Sequence, residues 1–253
     1  MLKNLYFLFF FVLTSLFGIS NDLIDLPWVD GSDDDSPYYA TPFLPDDPII
    51  FEAGTCSGND TIKFKEIWKD STIFGFEPVP RSFSITKKKT RHLDGVKIFK
   101  LALLDKIGRQ TFYLSKDNAG ASSVHKDNFG SITYPEGMNE EGDPKTGVYR
   151  DTPITVKTTT INSFAKSHNL THIDFIWLDT EGAELQILSS TTDYLHTVRV
   201  ITVEINFQEF RKDMTKFSEL HTFLTEQGFT MKYIWSPWGD QWQGNAMYIN
   251  NDI

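Results

Sequence analysis

Residues 175–188, FIWLDTEGAELQIL, begin as an apolar run and pass directly into the carboxylates Asp179, Glu181 and Glu184. A short apolar run of this kind reads as a strand buried on both faces, as in a parallel sheet covered by helices. Asp179 is then the first residue beyond the carboxyl end of that strand, where α/β sheets open into a ligand crevice. Gly182 permits a tight turn, and Glu181 and Glu184 fall near the start of the next helix, where the helix dipole favours negative charge. For Glu184 a helix-terminal role and a ligand-facing role are both open. The strand-end position of Asp179 points to a ligand.

The same alternation extends in both directions. Apolar runs predict strands over 49–51, 71–76, 96–103, 173–178, 198–205, 229–235 and 246–249, and amphipathic stretches predict helices over 59–68, 81–91, 162–168, 183–188 and 217–227, the last ending at Gly228. Residues between 103 and 162 read as a long polar excursion. Strand and helix alternate, so the expected class is α/β, Rossmann-like, with a mostly parallel sheet and helices on both faces.

Two upstream strand ends carry matching features. IIFEAGTCSGNDT places Glu52, Gly54 and Gly58 at the end of the first strand and the start of its helix, so bare backbone and a helix N-terminus face the crevice. IFGFEPVP ends the second strand with Glu77, 23 residues after Gly54, a spacing that suits an acid accepting both hydroxyls of a ribose. A dinucleotide fingerprint is missing, because Thr55, Cys56 and Ser57 separate the glycines, and no phosphate loop of the G-x-x-x-x-G-K-[ST] type occurs. A ligand with a ribose and no phosphate fits these features, and S-adenosylmethionine is the candidate.

At 253 residues with a hydrophobic fraction of 40%, the chain can bury one large core. Its formal charge of -10 and the lack of a basic cluster longer than Lys87, Lys88 and Lys89 argue against nucleic acid as a partner. The N-terminus, residues 1–20, reads as a secretory signal peptide: Lys3, an apolar run over 5–17, then Gly18 and Ser20. The run is short for a transmembrane helix, so without cleavage it would be a short anchor. An exported or lumenal protein with no stable membrane insertion after cleavage is expected. The single cysteine, Cys56, makes no internal disulfide. Residues 21–47, rich in Asp and Pro, read as an acidic linker; Asp33, Asp34 and Asp35 lack the spacing of a calcium loop, and no metal site is expected. The α/β domain spans 48–253.

EAGTCSGNDT, FGFEPVP, LALLDKIGRQTFYLS, ASSV, IDFIWLDTEGAELQIL, VITVEINFQEF and QGNAMYI occur in an order that resembles the FkbM family of S-adenosylmethionine-dependent methyltransferases. The resemblance covers about residues 49–249, with D-x-E-G-x-E its most specific part. It implies a seven-stranded class I methyltransferase sheet with an antiparallel last strand, and O-methylation of a hydroxyl on a sugar, another glycan or a small metabolite. It also implies that Glu52, Gly54 and Gly58 lie on the methionine-side loop, Glu77 on the ribose, Ala102 and Leu103 at the adenine, and Asp179 beside methionine and acceptor. Cys56 stands where this loop frequently has asparagine.

Methyl transfer asks a protein to align an acceptor oxygen with the methyl carbon, and a general base assists when the acceptor is a hydroxyl. Asp179 is the expected base, with Glu204 at the end of the fifth strand as its helper; His125 and His172 are alternatives on chemistry alone. Two other readings exist. Asp179-Thr180-Glu181 resembles the acidic pair by which lumenal glycosyltransferases hold a divalent metal and a sugar diphosphate. Alternatively, the fold is a non-catalytic binding module whose Trp235, Trp238 and Trp242 stack on sugar rings.

Overall fold

Successive residues of the first strand go to opposite faces: Ile50 is fully buried in one apolar cluster and Phe51 in another. Ile73 and Phe74 divide in the same way, as do Phe175 and Ile176. This period of two, with both faces buried, is why the strands read as apolar runs rather than as alternating polar and apolar residues. The computed structural model of the chain describes residues 29, 33–115, 119–126, 128, 152–209, 211–235 and 243–253.

The strands are β1 (Ile49–Ala53), β2 (Thr72–Phe76), β3 (Val96–Phe99), β4 (Ala102–Leu103), β5 (Gly108–Leu114), β6 (Thr152–Thr159), β7 (Phe175–Leu178), β8 (Val200–Asn206), β9 (Phe229–Trp235) and β10 (Gln243–Asn250). The helices are α1 (Asn59–Ile67), α2 (Pro80–Thr90), α3 (Ile161–Ser167), α4 (Glu184–Ser189) and α5 (Phe217–Glu226). Seven strands form one sheet in the order β3-β2-β1-β7-β8-β10-β9. β1, β2, β3, β7 and β8 pair in parallel, whereas β10 is antiparallel to both β8 and β9. This is the class I methyltransferase sheet with its antiparallel last strand.

From β1 the chain winds outward to β2 and β3, then returns to lay β7 and β8 on the other side of β1. The order therefore reverses between β1 and β7, where an open α/β sheet leaves a crevice at its carboxyl ends. Ala53 and Leu178 are in register there, and the N–H of Asp179 donates to the Ala53 carbonyl at 3.0 Å. One face is covered by α3, α4 and α5, with Phe164 stacked edge-on against Phe76 (4.7 Å) and Phe99 (4.8 Å). α1 covers the other face through Phe64, beside Trp68 and Trp177.

Three expectations are corrected. The segment read as an acidic linker contains a 3-10 helix, Asp33–Phe43, whose Ala40 is fully buried in the α1-side cluster with Tyr39, Phe43 and Leu44 against it. Pro37 and Pro42 lie inside this helix, and a proline-interrupted 3-10 turn carries no 3.6-residue period to be read. The third strand does not run through 96–103: β3 stops at Phe99, and Ala102 and Leu103 join a second sheet of order β4-β6-β5. The polar excursion thus includes two strands, whose Phe112 and Val156 build a small core with Val79 and Ala102. The signal-peptide reading of residues 1–20, and Trp238 and Trp242, lie outside the described residues.

Tyr39 packs edge-on against Tyr233 at 4.9 Å and Trp235 at 5.5 Å. Tyr39→Ala should lower the unfolding free energy by about 2 kcal/mol, since it removes a half-buried ring and two aromatic contacts. Urea denaturation measures this, and an unchanged midpoint would return residues 33–44 to the role of a linker.

Candidate active site

Gly54 follows β1 with φ +88°, and a Cβ placed there would lie 1.8 Å from the carbonyl oxygen of Asp179. Only glycine lets the loops after β1 and β7 touch backbone to backbone. Gly54 N–H donates to the Phe76 carbonyl at 3.0 Å, so the loop is also tied to the end of β2. Cys56, at φ +45°, donates its N–H to Glu77 Oε2 at 2.8 Å and accepts at its carbonyl from Thr86 Oγ1 at 2.8 Å. Burial, followed by the charges of Glu77 and Asp179, pushes the Cys56 thiol up. That thiol is held in its neutral form.

Glu77 ends β2 with 4% of its surface exposed. Its Oε1 accepts from the Val79 N–H at 2.8 Å, so each carboxylate oxygen is fixed by one backbone donor. Each keeps a further lone pair for a ligand. Burial raises Glu77 to about 7, against the pull of the Val79 and Cys56 N–H groups.

Glu77 lies on a cleft of about 560 Å³, counting the space open at its mouth, which also brings together Gly54, Ala102, Leu103 and Asp179. Five of the eight expected site residues thus share one cavity. Phe112, Gly120, Ser122 and Val124 complete its wall, and they come from the stretch that sequence reading left as a polar excursion. Glu52 and Gly58 do not line it. Glu52 is buried beneath the β1 loop, where its Oε2 accepts from Thr61 Oγ1 at 2.6 Å, and Gly58 packs against Thr86. Burial raises Glu52 to about 8, opposed by the Thr61 hydrogen bond and reinforced by Asp60, Glu77 and Asp179.

Beyond β7 the chain makes a turn with Glu181 at φ +56° and Gly182 at φ +107°. Glu184 builds this turn: its Oε1 accepts from the Thr180 N–H (3.1 Å), Thr180 Oγ1 (2.7 Å) and the Gly182 N–H (3.1 Å). Fully buried, it is raised by desolvation against those bonds. The open question about Glu184 is therefore answered in favour of structure. Asp179 is exposed at the cleft, and one oxygen each from Asp179, Glu181 and Glu204 lie within 4.8 Å of one another. Glu204, the eighth expected site residue, is on β8 and takes a hydrogen bond from Gln243 Nε2 at its Oε1. Burial first, then Asp179, raises Glu181 to about 8, with Arg211 opposing; Glu204 is pushed well up by burial and by Glu181, Asp179 and Glu184.

Sequence reading missed Arg211, which is fully buried and donates to the carbonyls of His125 (2.8 Å) and Ala121. With Ser123 Oγ donating to the Glu181 carbonyl at 2.7 Å, it joins the cleft wall to the acidic turn. A lone arginine in a polar stretch gives no signal; ASSV, which contains Ser123, was at least a marked motif. His125 sits on a second groove with Gly182 and Met214, its Nδ1 3.0 Å from the Lys212 carbonyl, and burial lowers its pKa. His172 precedes β7 and pairs with Asp174 at 3.3 Å, at the opposite end of the strand from Asp179, which removes it as a base. Trp235 is buried in the α1-side core and cannot stack on a sugar.

Residues 52–231 match the family model of the methyltransferase FkbM domain. The chain is 31% identical over 163 residues to the 2-O-methyltransferase NoeI of Sinorhizobium fredii, an alignment covering 64% of this chain and 65% of that relative. It is 26% identical over 216 residues to Methyltransferase 1 of Beauveria bassiana, covering 80% and 81%. Among solved structures, an rRNA methylase from Streptococcus thermophilus aligns with a TM-score of 0.47 at 12% identity, over 88% of this chain and 98% of that one.

Glu52 gives the site a measurable pH dependence. Its carboxyl is raised from 4.5 to about 8 on folding, so as pH climbs the unfolded chain loses this proton first and stability falls across that window. Glu52→Gln removes the titration and keeps an acceptor for Thr61. Paired urea titrations should show the variant gaining on wild type by a few kcal/mol, on the order of 1 to 4, between pH 5 and pH 8.5. A difference that does not vary with pH would contradict a neutral, buried Glu52.

Proposed function

The chain belongs to the FkbM methyltransferase family, and on that premise we propose that it transfers a methyl group from S-adenosylmethionine to a hydroxyl oxygen of a sugar or small metabolite. The observation that carries this reading is the cleft itself, in which Gly54, Glu77 and Asp179 meet at the reversal point of the sheet. Bound there, S-adenosylmethionine supplies an electrophilic methyl carbon on a sulfonium, open to in-line displacement by an oxygen nucleophile.

The residues present fit that cofactor. Glu77 offers outward lone pairs on two pinned oxygens, which suits a pair of ribose hydroxyls. Ala102, Leu103 and Phe112 form an apolar wall suited to a flat base. Gly54 leaves the space that a side chain would fill. Asp179 faces the cleft and takes the acceptor's proton, with Glu204 and Glu181 beside it. Oxygen as acceptor is supported by the name of NoeI, a 2-O-methyltransferase.

The glycosyltransferase reading is less well supported. A sugar diphosphate needs neutralising partners, and none of the described residues lining the cleft is Lys or Arg. A cleft lined by Glu77 and Asp179 suits a cationic ligand instead. The same intact cleft speaks against a non-catalytic module.

Export remains part of the proposal, carried by the sequence of residues 1–20. No helix among the described residues is long and apolar enough to cross a membrane. Intact-mass measurement on protein from the medium should show a new amino terminus at or near Asn21. A full-length cytosolic product would refute export.

Asp179→Asn keeps the shape of the turn and removes the base. Single-turnover methyl transfer should fall by about 100-fold or more, with a much smaller change in S-adenosylmethionine affinity. Loss of both quantities together would assign Asp179 to the cofactor's ammonium group. No change in either would make it a turn residue only.

A further inference from the structure

The acidic side of the cleft has more charge than a general base requires. Oxygens of Asp179, Glu181 and Glu204 come within 4.8 Å of one another, and the fully buried Glu184 adds a fourth carboxylate to the same field. Glu204 is 9% exposed; its Oε1 takes the Gln243 hydrogen bond, while its Oε2 is buried and has no hydrogen-bond partner among the described residues. A buried carboxylate oxygen left open in this way is expected to have a ligand.

A second, neutral group points the same way. Asn206 stands two residues along β8 from Glu204, so both project from the same face of the strand. It is 1% exposed; its side chain hydrogen-bonds toward the Glu204 carboxylate, and its amide oxygen has no hydrogen-bond partner among the described residues. Buried amide oxygens are expected to be paired, and one left open beside converging carboxylates is suited to a cation.

We propose that Asp179, Glu181 and Glu204 bind a divalent cation, with the Asn206 amide oxygen beside it, and that this cation holds the methyl acceptor. The donors are all hard oxygens, which select Mg²⁺, Mn²⁺ or Ca²⁺ over softer metals. The cation offsets the mutual repulsion of the three converging carboxylates. Mg²⁺ and Mn²⁺ retain open positions when held by a few carboxylates, so an acceptor with two neighbouring oxygens, such as a vicinal diol of a sugar, can occupy two of them. The cation makes the bound hydroxyl more acidic. The oxygen then bonds to the methyl carbon as the carbon–sulfur bond breaks, its electron pair passing to sulfur, and the hydroxyl proton leaves to the second oxygen of Asp179.

This inference deepens the proposed methyl transfer and rests on it, but its test is separate. Mn²⁺ added to the purified full chain, followed by electron paramagnetic resonance, should show one site per chain from which Mg²⁺ displaces it. Glu204→Gln should weaken Mn²⁺ by about 10-fold or more while circular dichroism stays unchanged. Glu181→Gln, on the half-buried turn, should do the same and keeps the test decisive if Glu204→Gln fails to fold. No Mn²⁺ bound by wild type, or binding unchanged in the folded variants, would overturn the cation site. S-adenosylmethionine affinity measured in the same samples reports on the underlying methyltransferase reading: its absence would overturn that reading, whatever Mn²⁺ does.

Discussion

The backbone of Gly54 against the carbonyl of Asp179 is the contact from which the rest of the site follows. It brings the loop after β1 and the turn after β7 together at the place where the sheet order reverses. A Cβ at position 54 would force the two strand ends apart, and with them the cleft wall from the acidic turn. Glu77 fixes the same loop from the other side by holding the Cys56 N–H, and Glu184 fixes the turn by holding Thr180 and Gly182. Carboxylates here do the work of caps and turn-formers as well as facing ligand.

That double use has an electrostatic consequence. Glu52, Glu77, Glu181, Glu184 and Glu204 are all raised by burial at one end of the sheet. Concentrating acids in this way costs stability, since each ionises more easily in the unfolded chain. A site of this kind is relieved by positive charge: the sulfonium of the proposed cofactor beside Asp179, and the proposed divalent cation on its far side. Arg211 lowers Glu181 but is occupied with backbone carbonyls, where it secures the wall of the cleft.

The seven-stranded sheet was legible because its central strands, β1, β2, β7 and β8, are buried on both faces, so apolar runs mark them without any need for periodicity. The strand-end rule then located Gly54, Glu77 and Asp179. Elements built from mixed residues escaped. β5 and β6, GRQTFYL and TPITVKTT, bury little more than Phe112, Val156 and the end of β6, and read as polar. The 3-10 helix over Asp33–Phe43 hides its apolar contacts behind two prolines. Side-chain direction was also out of reach: that Glu52 turns to Thr61 and Glu184 to its own turn depends on packing that a linear pattern does not encode.

Calorimetry of S-adenosylmethionine against the wild-type chain and Glu77→Ala tests the central claim, that the cleft at the sheet reversal binds this cofactor. The account predicts one site per chain, competed by S-adenosylhomocysteine but not by NAD or a sugar diphosphate. It predicts affinity lower by about 1.5 to 3 kcal/mol in the folded variant, the worth of charge-assisted hydrogen bonds to the ribose. Unchanged affinity in folded Glu77→Ala, or binding of the sugar diphosphate in place of S-adenosylmethionine, would contradict it.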